Sequence, residues 1–232
     1  MDLATDDKVE PVTDPEDLTA EVFVFPDGGR DGRSYDVLPF FFLPEAALGK
    51  KAEKDRADYL RWRDAGFLTI TEGNRIDYDA VIAHVVALAE RFDLQEVAID
   101  RWNSTAVTTA LQRKDITVAT FGQDFASMAA PVRELKRAIL GGEFRHGGNP
   151  VLRMCFANVV AEKDVDENEK FTKEKARGRI DGAVAAAMAV GRILAGEEGP
   201  SVYETADRPE GSLVVGGDEE ADTEDWDDLL LV

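Results

Sequence analysis

Cysteine and histidine are nearly absent from this 232-residue chain, which has one cysteine, Cys155, and two histidines, His84 and His146. A lone cysteine excludes an intrachain disulfide and any thiolate cluster able to hold zinc. The two histidines stand far apart, without HxH or HExxH spacing, and read as structural residues. Long apolar runs are missing as well: no stretch approaches the roughly 20 apolar residues a bilayer-spanning helix needs. The opening MDLATDDKVE is acidic where a secretory signal would be basic and then apolar, so a soluble, intracellular protein that is not secreted is expected. No GxxxxGK[ST] phosphate loop occurs, and the chain by itself is not expected to hydrolyse ATP.

Positive charge is also scarce, 27 Lys and Arg against 47 Asp and Glu, for a net charge of −20. Such a balance opposes phosphate binding, but its distribution matters more than its total. Residues 1–17 hold seven acidic groups and one basic, and residues 204–232 hold 11 and one. Residues 18–203 keep 29 acidic and 25 basic groups, so the body of the chain is close to neutral and can carry a local basic groove.

What is present is a mixed pattern of strands and helices. Hydrophobic residues make up 44% of the chain, enough for a core. LTAEVFVF (residues 18–25) and SYDVLPFFFLP (34–44) alternate as strands around the turn-rich PDGGRDG, which predicts an antiparallel hairpin. A charged helix over 50–66 and a short FLTIT strand follow. From Asp77 to Phe92 the apolar residues recur at steps of three and four behind an Asp N-cap. EVAID, a helix over 104–113 and ITVAT give the strand, helix, strand order of a parallel crossover. Helices are expected over 127–142, from Asn149 and Pro150 onward, and over about 180–195, the last built of alanine and glycine so that it can lie close to a sheet. DVDENEKFTKEKARG (164–178) lacks apolar periodicity and reads as a mobile, charged loop. The expected organisation is a domain over 1–198 and a disordered acidic tail over 199–232, whose end, DWDDLLLV, is either a frayed terminus or a docking peptide.

Asp100 raises the chemical question, because it ends the buried run VAI and a buried unpaired carboxylate is costly. Ligands of open α/β sheets bind at the carboxyl ends of strands, where Asp100 is expected. Asp181 opens the alanine-rich helix, and Asp2 and Asp17 bracket the N-terminal edge of the first hairpin. Magnesium favours carboxylate oxygens with water retained, and two such ions can activate water and stabilise the leaving oxygen of a phosphodiester. Strand ends and helix caps attract Asp for structural reasons too, and an Asp100–Arg101 ion pair is the alternative reading.

Seven stretches in order, DLA…DLTAEVFVFP, YDVLPFFFLPE, YLRWRDAGFLTITEGNRIDYDAV, EVAIDRWNS, FGQDFASMAAPVRELKRAIL, FRHGGNPVLRMCFANV and GRIDGAVAAAMAVGR, resemble the nuclease domain of tailed-phage terminase large subunits. The resemblance spans about residues 1–195. It implies a ribonuclease H-like fold, a five-stranded mixed sheet flanked by helices, with acidic residues holding two divalent ions, Mg²⁺ or Mn²⁺. By motif, Asp2, Asp100 and Asp181 correspond to the catalytic, metal-holding aspartates, and Asp17 to a secondary acidic residue. Here only Met1 precedes Asp2, and TDDKVEPVTDPE lengthens the link to DLTA.

The implied activity is endonucleolytic cleavage of concatemeric phage DNA, in the host cytoplasm during virion assembly. Low sequence specificity is expected, since no recognition helix or aromatic base platform stands out. Lys170, Lys173, Lys175, Arg177 and Arg179 crowd the segment before Asp181 and are candidate contacts to double-stranded DNA, as are Arg133, Lys136 and Arg137. A solvated charged surface is the plain alternative for both groups. The resemblance further implies a portal protein, a small terminase subunit and a terminase ATPase domain as partners, with no membrane. A metal-decayed docking module linking a motor to the portal is the second reading, and an acidic mimic of DNA the third.

Overall fold

The structure is a computed structural model that describes residues 18–27, 33–49, 57–101 and 105–198. The expectations for Asp2 and Asp17, for the helix over 50–56 and for the tail over 199–232 lie outside the described residues.

Strands β1 (Thr19–Asp27) and β2 (Ser34–Pro44) form the expected antiparallel hairpin, in register from Thr19 opposite Phe42 to Asp27 opposite Ser34. Alternation assigns the two faces of β1. Ala20, Val22 and Val24 pack into the main core, whereas Phe23 meets Phe40 and Phe25 meets Phe92 on the opposite face. Helix α1 is Tyr59–Asp64. Parallel to β2 run β3 (Thr69–Thr71) at its C-terminal end and β6 (Phe144–Arg145) at its start. The sheet is therefore mixed.

Helix α2 (Tyr78–Ala89) starts where the sequence places it: the Asp77 carboxylate accepts from the N–H groups of Asp79 at 3.0 Å and Ala80 at 3.2 Å. Its buried residues, Val81, Val85 and Leu88, repeat at helical spacing. A parallel pair follows, β4 (Val97–Asp100) and β5 (Val118–Phe121), joined through α3 (Thr105–Gln112). Among the described residues the strands thus fall into separate sheets, β1–β2–β3 with β6 in one and β4–β5 in another, because no described strand pairs with both β1 and β4.

Two further helices follow in the core. Helix α4 (Phe125–Leu140) buries Met128, Val132, Leu135 and Ala138 along one stripe. Its Glu134 is buried yet fully engaged: Tyr35 Oη donates to Oε1 at 2.8 Å and Arg137 Nε to Oε2 at 2.9 Å. Burial alone would raise that carboxyl, but these hydrogen bonds prevail and hold it below its ordinary value. Helix α5 (Pro150–Asn158) opens with the expected Asn149 cap, which accepts from Leu152 N–H at 3.0 Å, and with proline in the first turn.

Helix α6 (Asp181–Glu198) packs against β1, β4, α4 and α5. Ala183, Ala186, Ala187 and Val190 are wholly buried. A Cβ on Gly182 would come within 2.8 Å of the Phe41 ring, and one on Gly191 within 2.7 Å of the Phe121 ring. These two glycines are what let the helix lie this close.

The charged loop expected over 164–178 is corrected by a hairpin, β7 (Ala161–Lys163) with β8 (Glu169–Phe171). Apolar alternation does not build it. The Asp164 carboxylate folds the turn by accepting from the N–H groups of Asp166 at 2.9 Å and Asn168 at 2.8 Å, and Glu167 takes a positive φ of 64°. Phe171 is buried, Lys136 of α4 pairs with Glu169, and Lys170 stands 4.5 Å over the Phe125 ring.

Candidate metal and nucleic-acid site

Asp100 is the last residue of β4, level with Phe121 of β5. Parallel strands end side by side, so the chain leaving β5 passes the same spot, and Gln123 Nε2 donates to Asp100 Oδ2 at 2.7 Å. Asp100 is half-buried with Gln123 among its partners, and the neighbouring Arg101 also lends charge to Asp124. The Asp124 carboxyl is held low mainly by the Ser127 N–H, with Arg101 adding to it.

Asp181 is the first residue of α6. Its approach is pinned from α5: Asn158 Nδ2 donates to the Arg179 carbonyl at 3.1 Å, and Arg177 N–H donates to the Asn158 carbonyl at 3.1 Å. The Asp181 side chain is 14% exposed and pairs with Lys173 Nζ at 2.8 Å. A helix N-terminus favours negative charge, so the position suits a carboxylate without a metal.

Asp100, Asp181, Gln123 and Lys173 line one cleft of about 860 Å³, whose walls are otherwise largely apolar. Two aspartates remote in sequence are thus brought to a shared space. Two carboxylates are a suitable donor set for a hard divalent cation, which commonly takes one or two carboxylates and fills its remaining positions with water or substrate phosphate. Among the described residues no group of three or more His, Cys, Asp or Glu is placed to hold a metal.

The basic residues separate into different uses. Lys173 reaches Asp181, Lys170 lies over Phe125, and Lys175 pairs with Glu162 at 2.7 Å. Arg177 is exposed and Arg179 half-buried beside Asn158. On α4, Arg133 is exposed, Lys136 meets Glu169, and Arg137 binds Glu134, Glu143 and the Arg33 carbonyl, the last at 2.6 Å. Arg137 is tied into the fold by these bonds.

Sequence reasoning missed Gln123 and Glu21, both of which line the cleft. Glu21 lies on the aromatic face of β1, where alternation with Phe23 and Phe25 could have flagged it. Its Oε2 is 2.6 Å from His84 Nδ1, while Oε1 is buried with no hydrogen-bond partner among the described residues. The contact has the geometry of an ion pair, yet burial pushes the Glu21 carboxyl up to about 8 and His84 down. Both shifts favour neutral partners, and we describe the pair as a neutral hydrogen bond at pH 7. His84 also packs edge-on to Phe40 and Phe42, at 4.5 and 5.6 Å. His146 packs beside Phe144 and is absent from the cleft lining. Cys155 is buried, which drives its thiol up to about 12 and leaves it inert.

Fold and site together define a mixed α/β domain with an acidic cleft at a strand end and a helix start. The family model for the terminase large subunit, endonuclease domain, matches residues 12–197, and the chain belongs to that family. It is similar to the terminase large subunit of Enterobacteria phage HK97, 40% identical over 182 residues that make up 75% of this chain and 34% of that protein. It is also similar to protein YmfN of Escherichia coli strain K12, 34% identical over 173 residues, 71% of this chain and 38% of the relative. The crystal structure of the HK97 large terminase matches with a TM-score of 0.67 and 36% identity, covering 78% of this chain and 40% of that one. The chain thus spans between a third and two fifths of these relatives. Among the described residues no helix is long and apolar enough to cross a membrane.

Proposed function

We propose that this domain is a divalent-metal-dependent endodeoxyribonuclease that cuts concatemeric phage DNA with little sequence preference. The observation that carries this reading is the convergence of Asp100 and Asp181 on one cleft in a chain of the terminase endonuclease family. Asp100 and Asp181 would hold a cation, and with Asp2 and Asp17 they are the proposed carboxylates for two ions. Mg²⁺ or Mn²⁺ bound there supplies Lewis acidity and a more acidic water for attack on phosphorus.

The protein's own groups prepare that chemistry. Gln123 donates to one oxygen of Asp100 and so orients it. The Asn158 bonds and the close packing at Gly182 fix where Asp181 begins its helix. Lys173 neutralises Asp181, and with Lys170, Lys175, Arg177 and Arg179 it would meet the DNA backbone. Arg133 and Lys136 extend the basic surface, and Arg137 serves it mainly by holding α4 in place. A portal protein, a small terminase subunit and a terminase ATPase domain are the partners of this reading, and its setting is the host cytoplasm during virion assembly.

The test is incubation of the purified chain with supercoiled plasmid and Mn²⁺. Nicking or linearisation is expected from the wild-type protein, with a loss of about 100-fold or more in Asp100→Asn and in Asp181→Asn. Full cleavage by both variants would remove these residues from the site. An inactive docking module between motor and portal is favoured by the ion pair between Lys173 and Asp181, and absence of cleavage by the wild-type chain would support it.

A further inference from the structure

The end of β4 is tied to the chain leaving β5 by two neighbouring contacts. In one, Gln123 Nε2 donates to Asp100 Oδ2 at 2.7 Å. In the other, Arg101 extends toward Gly122 and Asp124: its Nη2 lies 3.5 Å from the point where a Cβ on Gly122 would stand. The Asp124 carboxylate occupies the same small space, with Oδ2 2.6 Å from that point and Ser127 Oγ 2.8 Å from it. Gly122 does not take a positive φ, so the position needs glycine for room rather than for backbone conformation.

Behind both contacts stands α4. The other oxygen of Asp124, Oδ1, accepts from Ser127 N–H at 2.9 Å as the N-cap of that helix. Met128, Val132, Leu135 and Ala138 of α4 are wholly buried, which makes the helix a firm reference for whatever it holds. Gln123 orients one carboxylate oxygen of Asp100; it does not act on the main chain that carries the carboxylate. Arg101 does, because it is the next residue, and its guanidinium lends charge to Asp124.

A carboxylate that ligates a cation works only within about 0.5 Å of its productive place, and groups that orient such ligands commonly change metal affinity by about 10–100-fold when removed. We propose that Arg101, Asp124 and Gly122 form a clasp that positions Asp100 for a divalent cation. They act through the main chain at the end of β4, as positioning residues rather than as ligands. The inference rests on the reading of Asp100 as a cation-holding residue given above. Charge alone makes the opposite forecast for Arg101: a guanidinium beside a cation repels it, so losing the arginine would tighten binding. A clasp requires that loss to weaken it.

The test is Mn²⁺ binding to the full chain without DNA, for the wild-type protein, Arg101→Gln, Gly122→Ala and the double variant, with thermal midpoints measured alongside. Gly122→Ala changes no charge, and the atoms its methyl group displaces are the ends of side chains, so the fold survives it. Each single variant is expected to bind Mn²⁺ about tenfold more weakly, and the double variant little worse than either one, because both break the same clasp. Unchanged Mn²⁺ affinity with a lowered thermal midpoint would overturn the proposal by leaving the contacts purely structural. So would tighter binding in Arg101→Gln, which would make charge repulsion that residue's effect. Additive losses in the double variant would also overturn it by separating Gly122 from Arg101. Failure of the underlying reading looks different: a wild-type chain that binds no Mn²⁺, or an Asp100→Asn variant that binds it equally well, overturns the cation site and the clasp together.

Discussion

Lys173 shows how one side chain can set the readiness of Asp181 for a cation. Its ammonium lies 2.8 Å from Asp181 while remaining 57% exposed, so the bond is screened and worth little to folding. Its weight falls on the cation that would share Asp181. Lys173→Met removes a competing positive charge, and Mn²⁺ affinity is expected to rise by about five-fold, equivalent to about 1 kcal/mol, as measured by titration calorimetry. Glu21 makes a different prediction. Its folded-state carboxyl is pushed from 4.5 up to about 8, so the protonated form is the one folding favours. That contribution is complete below about 4.5 and is lost as pH rises toward 8. Glu21→Gln keeps a neutral side chain throughout, and between about 6.5 and 8 its thermal midpoint should fall less than that of the wild-type protein. His84, held low by burial, acts in the opposite direction as pH drops below its ordinary 6.5. Asp100 and Asp181 were legible in the sequence because a carboxylate ending an apolar strand, or opening an alanine-rich helix, demands a reason. Glu21 was not singled out, although its alternation with Phe23 and Phe25 places it on their face.

Among the elements, α6 links core and cleft. Its small residues permit close approach, and Asp181 sits on the turn that Gly182 presses against Phe41. Gly182→Val would drive a branched side chain into that ring. An overpacking loss of about 1–3 kcal/mol is expected in urea unfolding, together with weaker cleavage as Asp181 is displaced. Unchanged stability would deny the close fit. Helix starts at Asp77 and Asn149 were readable because an N-cap is a local hydrogen bond between near neighbours in sequence. The β7–β8 hairpin was unreadable by hydrophobic period, since Glu162, Lys163 and Glu169 face charge partners, Lys170 lies over the Phe125 ring and Phe171 alone is buried. Its signal lay in the turn instead, in the spacing of Asp164, Asp166 and Asn168.

For the molecule as a whole, local patterns gave the hairpin, the crossover and the order of helices, and hence the mixed α/β class. The division of the described strands among three sheets was not legible, because sheet order depends on contacts between distant segments that no local period encodes. The family assignment joins these levels: the matched region, residues 12–197, contains both Asp100 and Asp181. The central claim is that these two side chains hold one divalent cation between them. Electron paramagnetic resonance titration of Mn²⁺ into the wild-type chain and the two asparagine variants, without DNA, tests it most directly. The account predicts saturable binding that weakens by about tenfold or more in each single variant, while the double variant loses little beyond either one. Equal Mn²⁺ affinity in all of these proteins would contradict it.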